Sequence, residues 1–311
     1  MVPTVADTIR ELTRRHIDEN NGLVIGQCLS AVGWVQNTVP AQEKGIEELP
    51  MTDVAGAGIA VGAALTGRRP IFILRFQSLN WLNSSPLVNH AAKVKSTFGY
   101  ACPIFIRASG DEGNSMGPVH SGTHHSPFMY VPGLPVVAPM TPGEYKIVWE
   151  YFLAHDEPMF VSEHRSSYQN TEELPNHIEE GAQITIFAAS ASRFQAIHAA
   201  EILRKENIAV NLVHLVWLKP LNIPVPAMDA LRICARGLVL DSGYEICGAS
   251  RSIAYELTHE TGAVVHALAM DDRSSGVAKR LENLSPQADR IVAEVKNIIY
   301  HTDFDQTLVN N

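Results

Sequence analysis

The chain has 311 residues, of which 46% are hydrophobic and 18% charged, and its formal net charge is −9. This length suits two domains with a sizeable core, and the negative charge argues against nucleic acid or an anionic membrane as the main partner. No basic-then-apolar leader opens the sequence and no apolar run reaches about 18 residues, so we expect a cytoplasmic protein. The cysteines form no C-x-x-C pair and predict neither a zinc site nor a disulfide framework; they are Cys28, Cys102, Cys234 and Cys247.

Helices and strands alternate along the first half of the sequence. Between Val5 and Ile17 the apolar residues recur with helical spacing, which predicts an amphipathic helix with Thr4 as its N-cap. A run of small residues over 54–66 predicts a second helix that ends near Gly67. The other expected elements are strands at 23–25, 71–74, 104–106 and 159–161 and helices at 86–97 and 142–153.

The same alternation resumes after a polar stretch near Pro175. Strands alternating with helices predict parallel sheets with helices on both faces. We therefore predict an α/β fold of two layered α/β domains with mainly parallel sheets: a first domain over 1–168, a linker over 169–181 and a second domain over 182–311. The expected strands of the second domain lie at 184–188, 209–215, 237–240 and 264–268, and its helices at 193–206, 227–233, 251–261 and 286–299.

Residues 50–70 carry the most informative local pattern. A carboxylate, Asp53, opens a helix in which Gly58 and Gly62 lie four residues apart, so one helix face has almost no side-chain bulk. Glycine inside a helix costs roughly 1 kcal/mol relative to alanine. A chain that accepts this repeatedly needs the close approach of another backbone or of a flat ligand. Asp53 is also a favoured N-cap residue and could serve that role alone.

The order of several motifs resembles that of the β subunits of thiamine-diphosphate-dependent 2-oxo-acid dehydrogenases. In those subunits a glutamate precedes a Gly/Ala-rich helix, followed by Gly-x-Arg-Pro and a strand, as over 53–74 here. The resemblance covers nearly the whole chain and implies a pyrimidine-binding domain followed by a transketolase C-terminal-like domain. Its further motifs are Asn89-His90-Ala91-Ala92-Lys93, Pro103-Ile104-Phe105-Ile106-Arg107, His120-Ser121, the segment 132–139 and Leu218-Lys219-Pro220-Leu221.

The resemblance implies thiamine diphosphate as the cofactor, with its pyrimidine side bound by this chain. A carboxylate hydrogen-bonded to ring nitrogen N1′ favours the tautomer that activates the cofactor, and this position, glutamate in the family, is Asp53 here. Aspartate is one methylene shorter, roughly 1.5 Å, so activation requires a closer backbone or an intervening water. Met51 and Leu79 are also expected to bind the cofactor, although Leu79 stands where relatives place an aromatic ring.

The His-Ser pair at 120–121 resembles a family element whose histidine lies over the reacting substrate. This implies a catalytic role for His120, since histidine exchanges a proton near neutral pH. His124 lies in the same Gly- and Ser-rich segment and is a further candidate for binding substrate. No set of histidines, cysteines and carboxylates has convincing metal-ligand spacing, so we expect no metal bound by this chain.

Arg75 departs from the family pattern. Several relatives have a neutral residue at this strand end, whereas arginine is cationic at any relevant pH. The guanidinium could pair with Asp53, hold a carboxylate or phosphate of an anionic substrate, or reach solvent or a partner subunit. We predict that Arg75 binds substrate.

The sequence has no Gly-Asp-Gly motif of the kind that holds the cofactor's diphosphate. The resemblance therefore implies an α subunit that carries the diphosphate and holds Mg2+, together with a second β chain in a heterotetramer. A lipoyl acyltransferase is a further candidate partner. Nucleic acid and membrane are not expected partners.

Three functions fit these observations. The first is the β subunit of a heteromeric thiamine-diphosphate-dependent enzyme that decarboxylates a 2-oxo acid and transfers the resulting acyl or aldehyde unit. The second is a subunit of a split transketolase-like or carboligating enzyme, which the departures from the dehydrogenase pattern at Asp53, Arg75, Leu79 and Gly122 keep open. The third is a non-catalytic assembly or regulatory subunit of the same fold.

Overall fold

The computed structural model describes residues 2–42, 44–52 and 54–309, with side chains described as far as residue 300. It divides into two compact units. The first unit comprises Met1–Glu173 together with the short segments Val216–Pro220 and Ser275–Glu282. The chain first passes into the second unit between residues 173 and 174, which lies within the predicted linker.

Strands and helices alternate through both units. The strands are β1 (Leu23–Gln27), β2 (Ile46–Leu49), β3 (Pro70–Leu74), β4 (Phe105–Gly110), β5 (Val136–Val137), β6 (Met159–His164), β7 (Ile184–Ala189), β8 (Val210–Leu215), β9 (Trp217–Lys219), β10 (Arg236–Tyr244) and β11 (Val264–Met270). The helices are α1 (Val5–Glu19), α2 (Ala31–Asn37), α3 (Val54–Leu65), α4 (Asn80–Pro86), α5 (Ala92–Phe98), α6 (Gly117–His120), α7 (Ser126–Met129), α8 (Pro142–Ala154), α9 (Ser192–Lys205), α10 (Val225–Cys234), α11 (Ala249–Thr261) and α12 (Ala288–Val309).

Each unit is built on one sheet. In the first unit the strand order is β2-β1-β3-β4-β6-β5-β9, and all neighbours pair in parallel except β5 and β9. In the second unit the order is β11-β10-β7-β8, with every pair parallel. Parallel strands need long crossovers, and the intervening helices supply them. The predicted α/β fold with two mainly parallel layered domains is confirmed.

The first helix forms where the sequence predicts it. The Thr4 side chain accepts a hydrogen bond from the Asp7 amide at 3.0 Å, and Asp7 Oδ2 accepts from the Thr4 amide at 3.1 Å. This capping box satisfies two amides that the first helical turn leaves without partners. The apolar face of α1 then packs into the core of the first unit beside Val24, Trp149 and Phe152.

Two segments of the first unit differ from the sequence prediction. The helix expected over 86–97 is interrupted, because Leu87–Ala91 is π-helical between α4 and α5. Pro86 has no amide to donate, which is consistent with the break at that point. Within α2, Val32–Gln36 has φ between 51° and 60°, a left-handed turn. A left-handed backbone conformation costs non-glycine residues roughly 1–2 kcal/mol each. No pattern in the sequence predicts this turn.

The second unit has its own core. Helices α9 and α12 pack against each other and on the sheet, while α10 and α11 contact strands β7, β10 and β11. Strand β10 continues to Tyr244, four residues past the predicted end at 240. The segment Asp241-Ser242-Gly243 is therefore part of a buried strand, and the side chains of Asp241 and Ser242 are fully buried.

Candidate functional site

A cavity of about 210 Å³ opens at the carboxyl end of the first unit's sheet. Gln27 and Cys28 reach it from the end of β1, Leu49 from the end of β2 and Leu74 from the end of β3. In open α/β sheets, ligands bind in the crevice outside the carboxyl ends of the strands. The position of this cavity therefore makes it the candidate functional site.

The walls of the cavity are largely apolar and approach closely. Phe72 and Leu79 contribute hydrocarbon surface, and Gly56 of α3 faces the same space. A Cβ atom on Gly56 would lie 3.2 Å from Leu49 Cδ1 and 3.3 Å from Thr52 Oγ1, closer than ordinary van der Waals contact. A larger residue there would push these neighbours, so glycine sets the shape of this part of the wall.

Two other glycines of α3 have free space around them. A Cβ atom on Gly58 or on Gly62 would meet no atom of the described residues within 4 Å, and both positions are exposed. Contacts among the described residues thus explain the glycine at 56 and leave 58 and 62 unexplained.

Four of the six residues predicted for the site line this cavity. They are Met51, Arg75, Leu79 and His120. Met51 is 75% exposed, whereas Leu79 and Arg75 are half-buried. Asp53 lies outside the described residues, and its role stays a prediction.

Arg75 follows β3 directly and contributes a guanidinium to the apolar cavity. Its Nε is buried and has no hydrogen-bond acceptor, and no carboxylate of the described chain lies within ion-pair distance of it. Its backbone carbonyl accepts a hydrogen bond from Arg165 Nη2 at 3.1 Å. The backbone at Arg75 is therefore anchored, while its charge has no ionic partner in the part of the chain that the structure describes.

Phe76 supports His120. The His120 ring meets the Phe76 ring edge-on, with centroids 4.5 Å apart. The Arg165 guanidinium covers Phe76 at 4.2 Å from the ring centre. Ser78 Oγ donates a hydrogen bond to the carbonyl of Val119, beside the histidine. These contacts hold an exposed histidine at the cavity, and Phe76 is a site residue that the sequence analysis did not single out.

His124 does not line the cavity, but Gln77 ties it to the same strand ends. The His124 amide donates to Gln77 Oε1 at 2.6 Å. Gln77 Nε2 in turn donates to Ser162 Oγ at 2.8 Å and to the carbonyl of Ala108 at 3.1 Å. Burial lowers the pKa of His124 below its ordinary value, which favours a neutral ring. Sequence reasoning missed Gln77 because its partners lie 31 to 85 residues away.

Beside this site, a buried ion pair joins strands β4 and β6. Arg107 donates to both Glu163 oxygens, at 2.6 and 3.0 Å, and each side chain is at most 2% exposed. The hydroxyls of Tyr145 and Tyr168 also donate to Glu163, at 2.6 and 2.7 Å. Burial opposes ionisation of Glu163, but the Arg107 charge and these hydrogen bonds outweigh it and hold its pKa below the ordinary value.

A second buried pair lies at the ends of the same two strands. His164 Nε2 hydrogen-bonds Glu112 Oε2, and Arg165 Nη1 lies 3.3 Å from Asp111 Oδ2. Burial works against the charged form of His164, but the negative charge of Glu112 outweighs it and raises the pKa. Among the described residues, no group of three or more histidines, cysteines or carboxylates is arranged to hold a metal ion.

Comparison with known families assigns both parts of the chain. Residues 31–171 match the pyrimidine-binding domain of transketolase, and residues 176–291 match its C-terminal domain. The chain therefore belongs to the transketolase-like proteins. Most of the cavity, including Met51, Arg75, Leu79 and His120, lies within its pyrimidine-binding domain.

The curated relatives of this transketolase-like chain include β subunits of several enzymes. It is 27% identical over 279 residues to the pyruvate dehydrogenase E1 component subunit beta of Rickettsia felis, covering 83% of this chain and 85% of the relative. It is 27% identical to the acetoin:2,6-dichlorophenolindophenol oxidoreductase subunit beta of Cupriavidus necator, covering 71% and 69%. It is 28% identical to the 2-oxoisovalerate dehydrogenase subunit beta of Bacillus subtilis, covering 58% and 59%.

Solved structures share the fold at lower identity. A split-gene transketolase described as an inactive β4 tetramer matches with a TM-score of 0.75 and 15% identity, over 96% of this chain and 99% of its own. Transketolase from Campylobacter jejuni matches with a TM-score of 0.72 and 16% identity, over 95% of this chain and 46% of its own. At these identities the likeness establishes the fold alone. Among the described residues, no helix has the length and apolar character needed to cross a membrane.

Proposed function

We propose that this chain is the β subunit of a heteromeric thiamine-diphosphate-dependent enzyme that decarboxylates a 2-oxo acid and transfers the resulting acyl or aldehyde unit. The observation that carries the proposal is the cavity at the carboxyl edge of the pyrimidine-binding domain, where Met51, Arg75, Leu79 and His120 meet. The names of the curated relatives support it, since they include β subunits of pyruvate and 2-oxoisovalerate dehydrogenases.

The residues of the cavity fit the pyrimidine side of the cofactor. A flat heteroaromatic ring requires apolar walls and close approach, and Phe72, Leu79 and the bare backbone of Gly56 supply both. Leu79 would pack against the ring through dispersion, and Met51 would cover it from the open side. In this proposal Asp53, which precedes α3, hydrogen-bonds ring nitrogen N1′.

When bound, thiamine diphosphate supplies a nucleophilic carbon that adds to the substrate carbonyl and an electron sink for the pair released with CO2. The chain's own residues then orient the substrate and protonate its oxygen. His120, held edge-on against Phe76 with centroids 4.5 Å apart, moves a proton at the substrate oxygen through its exposed imidazole. Arg75 binds the substrate, and His124 is a second substrate contact, oriented by the Gln77 hydrogen bond to its amide.

The electron balance distinguishes two possible acceptors. Loss of CO2 breaks the bond between the carboxyl and carbonyl carbons and leaves the electron pair on the carbonyl carbon. Transfer of an acyl unit is an oxidation, so it requires a disulfide acceptor such as lipoamide, which is reduced to the dithiol. Transfer of an aldehyde-level unit to a carbonyl compound forms a carbon–carbon bond without an oxidant. We propose the first, with a lipoyl acyltransferase as partner.

The remaining half of the site would come from another chain. We propose an α subunit that holds the diphosphate and Mg2+, and a second β chain that completes a heterotetramer. The free space beside Gly58 and Gly62 supports this assembly, because an approaching backbone could occupy it. We further propose a cytoplasmic location, which the four free cysteines favour.

Calorimetric titration tests the proposal. Thiamine diphosphate with Mg2+ is titrated into the co-purified complex of this chain and its α partner, followed by a screen of 2-oxo acids for CO2 release. Saturable binding and turnover of a 2-oxo acid are expected. Saturable binding with transfer from a ketose but no CO2 would favour the split transketolase-like alternative, and no binding would favour the non-catalytic subunit.

A further inference from the structure

We propose that Arg75 makes this site specific for substrates that keep a second anionic group, a carboxylate or a phosphate, after CO2 has left. The inference rests on the proposed function, because it assigns the substrate class of the same cavity. The first test, alkylation of a cysteine in the cavity, needs only this chain and no α partner, so its outcome does not depend on the proposed function.

The first observation is that Arg75 lacks the kind of ionic partner that three other arginines of the first unit have. Arg107 pairs with Glu163 at 2.6 Å, Arg69 with Asp156 at 2.9 Å and Arg165 with Asp111 at 3.3 Å. Arg75 is half-buried among apolar walls, and the described residues offer it neither a carboxylate nor an acceptor for its buried Nε. A charge withdrawn from water without a counter-ion is unfavourable. An anionic ligand in the cavity would remove that penalty.

The second observation is that contacts with neighbouring residues fix the position of Arg75 in the site. Arg75 follows the last residue of β3, and the hydrogen bond from Arg165 Nη2 fixes its carbonyl. Arg165 also covers Phe76, which contacts His120. The Arg75 guanidinium lies 5.8 Å from the centre of the same Phe76 ring, and this contact places it relative to the histidine that we assign to the reacting centre. A planar guanidinium suits carboxylate and phosphate equally, through paired hydrogen bonds.

The energetics of decarboxylation indicate which anionic group of the substrate Arg75 should bind. As CO2 leaves, negative charge moves from the scissile carboxylate to the carbonyl carbon. A cation held on that carboxylate would stabilise the substrate more than the transition state and would slow the reaction. A cation that holds a carboxylate or phosphate elsewhere on the substrate keeps its partner throughout. Arg75 thus contributes usefully when the retained part of the substrate is anionic.

Cys28 offers a direct reporter, because this free, half-buried thiol lines the same cavity. Iodoacetate and iodoacetamide have nearly the same shape and differ by one negative charge. We would measure by peptide mass spectrometry the ratio of their alkylation rates at Cys28. The same ratio at Cys247, an exposed cysteine of the second unit, normalises it for the intrinsic difference between the reagents.

The expected result is a normalised preference for iodoacetate of about fivefold, which is the size of an ion-pair interaction across a few ångströms in water. Arg75→Met should abolish the preference, and Arg75→Lys should retain it. Arg232→Met removes an exposed arginine that pairs with Asp229 in the second unit, and it should leave the preference unchanged. A preference absent from the native chain, or persisting in Arg75→Met, would overturn the proposal and indicate that Arg75 is neutralised by Asp53 or by another acid.

Competing ligands identify the class of anion. 2-Oxoglutarate should slow the alkylation of Cys28 by iodoacetamide more than 2-oxopentanoate does if the retained group is a carboxylate. 3-Phosphonooxy-2-oxopropanoate should protect more than 3-hydroxy-2-oxopropanoate if it is a phosphate. Equal protection within both pairs would contradict the proposal.

The assembled enzyme gives the second readout. Within the preferred pair, the ratio of kcat/KM for the 2-oxo acid with the second anionic group to that for the 2-oxo acid without it should fall about ten- to a hundredfold in Arg75→Met, the range for a charged hydrogen bond. It should be largely restored in Arg75→Lys. An unchanged ratio would overturn the proposal. If the complex binds no cofactor, the proposed function fails while the alkylation result still stands, so the two failures are distinguishable.

Discussion

The two sheets end differently at their carboxyl edges. In the first unit, strands β1 to β3 end at a cavity that holds an arginine without an ionic partner among the described residues. In the second unit, β7 and β10 end among fully buried polar residues, where the Ser192 amide donates to Ser242 Oγ at 3.0 Å. One architecture thus yields a ligand-sized space in one unit and a packed polar interior in the other.

The second unit shows how a buried arginine can be accommodated without a carboxylate acceptor in the hydrogen bond that it donates from Nε. Arg193 is fully buried and donates from Nε to His214 Nδ1 at 3.2 Å. Burial and the charge of Arg193 lower the pKa of His214 to about 3, so its ring stays neutral and can accept that hydrogen bond. These polar groups bond to other residues of the second unit, whereas Arg75 Nε at the cavity of the first unit has no acceptor among the described residues. Substitutions at the two edges should therefore have different consequences.

The largest effect on stability is expected from Glu163→Gln, within the closed part of the first unit. The substitution leaves the buried Arg107 charge without its counter-ion, and breaking such a pair costs about 3–5 kcal/mol. Chemical denaturation with urea would measure the loss. Asp229→Gln changes an exposed ion pair with Arg232 and should cost under about 1 kcal/mol. Similar losses for both variants would contradict this account of the Arg107–Glu163 pair.

The stability of the fold at low pH should also depend on the Arg107–Glu163 pair. The pKa of Glu163 is lower in the folded chain than its ordinary value of 4.5. Its ionised form therefore stabilises the fold fully above pH 4.5, and this contribution is lost as the pH falls through the folded-state pKa. Thermal unfolding between pH 7 and pH 3 should show a smaller decline for Glu163→Gln than for the native chain. Equal declines would show that this carboxyl does not link folding to pH.

The largest effect on catalysis is expected from Asp53→Asn in the assembled enzyme. Asparagine is nearly isosteric and also caps helices, so folding should be retained. Loss of the carboxylate that we propose to activate the cofactor should reduce turnover at least about 10²- to 10³-fold, the usual range for one positioned polar group. Steady-state rates and a circular dichroism melt would provide the two measurements. An undiminished rate would remove Asp53 from catalysis.

His120→Ala should reduce turnover about 10²-fold, which is the lower range for a general acid–base group. Its effect on the affinity for thiamine diphosphate, measured by calorimetry, should be much smaller, because the ring meets Phe76 at the cavity mouth. Parallel losses of turnover and of cofactor affinity would mean that the histidine holds the cofactor instead of acting on the substrate.

The smallest effect is expected at the closed edge of the second unit. Ser242→Ala removes the acceptor of the Ser192 amide and should cost about 1 kcal/mol of stability. Turnover of the complex should stay within twofold of the native value, about the scatter of such assays, and a larger loss would show that this edge also contributes to function.

Regular elements followed from the sequence because local rules determine them. Thr4 and Asp7 cap α1 as their spacing predicts, and the continuous apolar run at 71–74 is a strand buried on both faces, as parallel strands are. The left-handed turn at Val32–Gln36 and the π-helical Leu87–Ala91 are changes of backbone conformation, and the spacing of apolar residues does not predict them.

The site was predictable in position more than in detail. The rule that strands end at one edge, together with the family resemblance, pointed to residues that do surround one cavity. The sequence analysis did not identify Gln77 or Phe76 as site residues, because neither residue belongs to a distinctive sequence motif. Their importance lies in contacts with His124 and His120, more than 40 residues away. The chemical roles of the predicted residues remain predictions.

The glycines of α3 have a consequence for how firmly the chain folds on its own. Alanine at 58 or 62 would touch no described atom within 4 Å and would strengthen the helix by roughly 1 kcal/mol. At 56 the same change would press on Leu49 and Thr52. The isolated polypeptide is thus held below its attainable stability at two surface positions, and whatever requires glycine there lies outside the folding of a single chain.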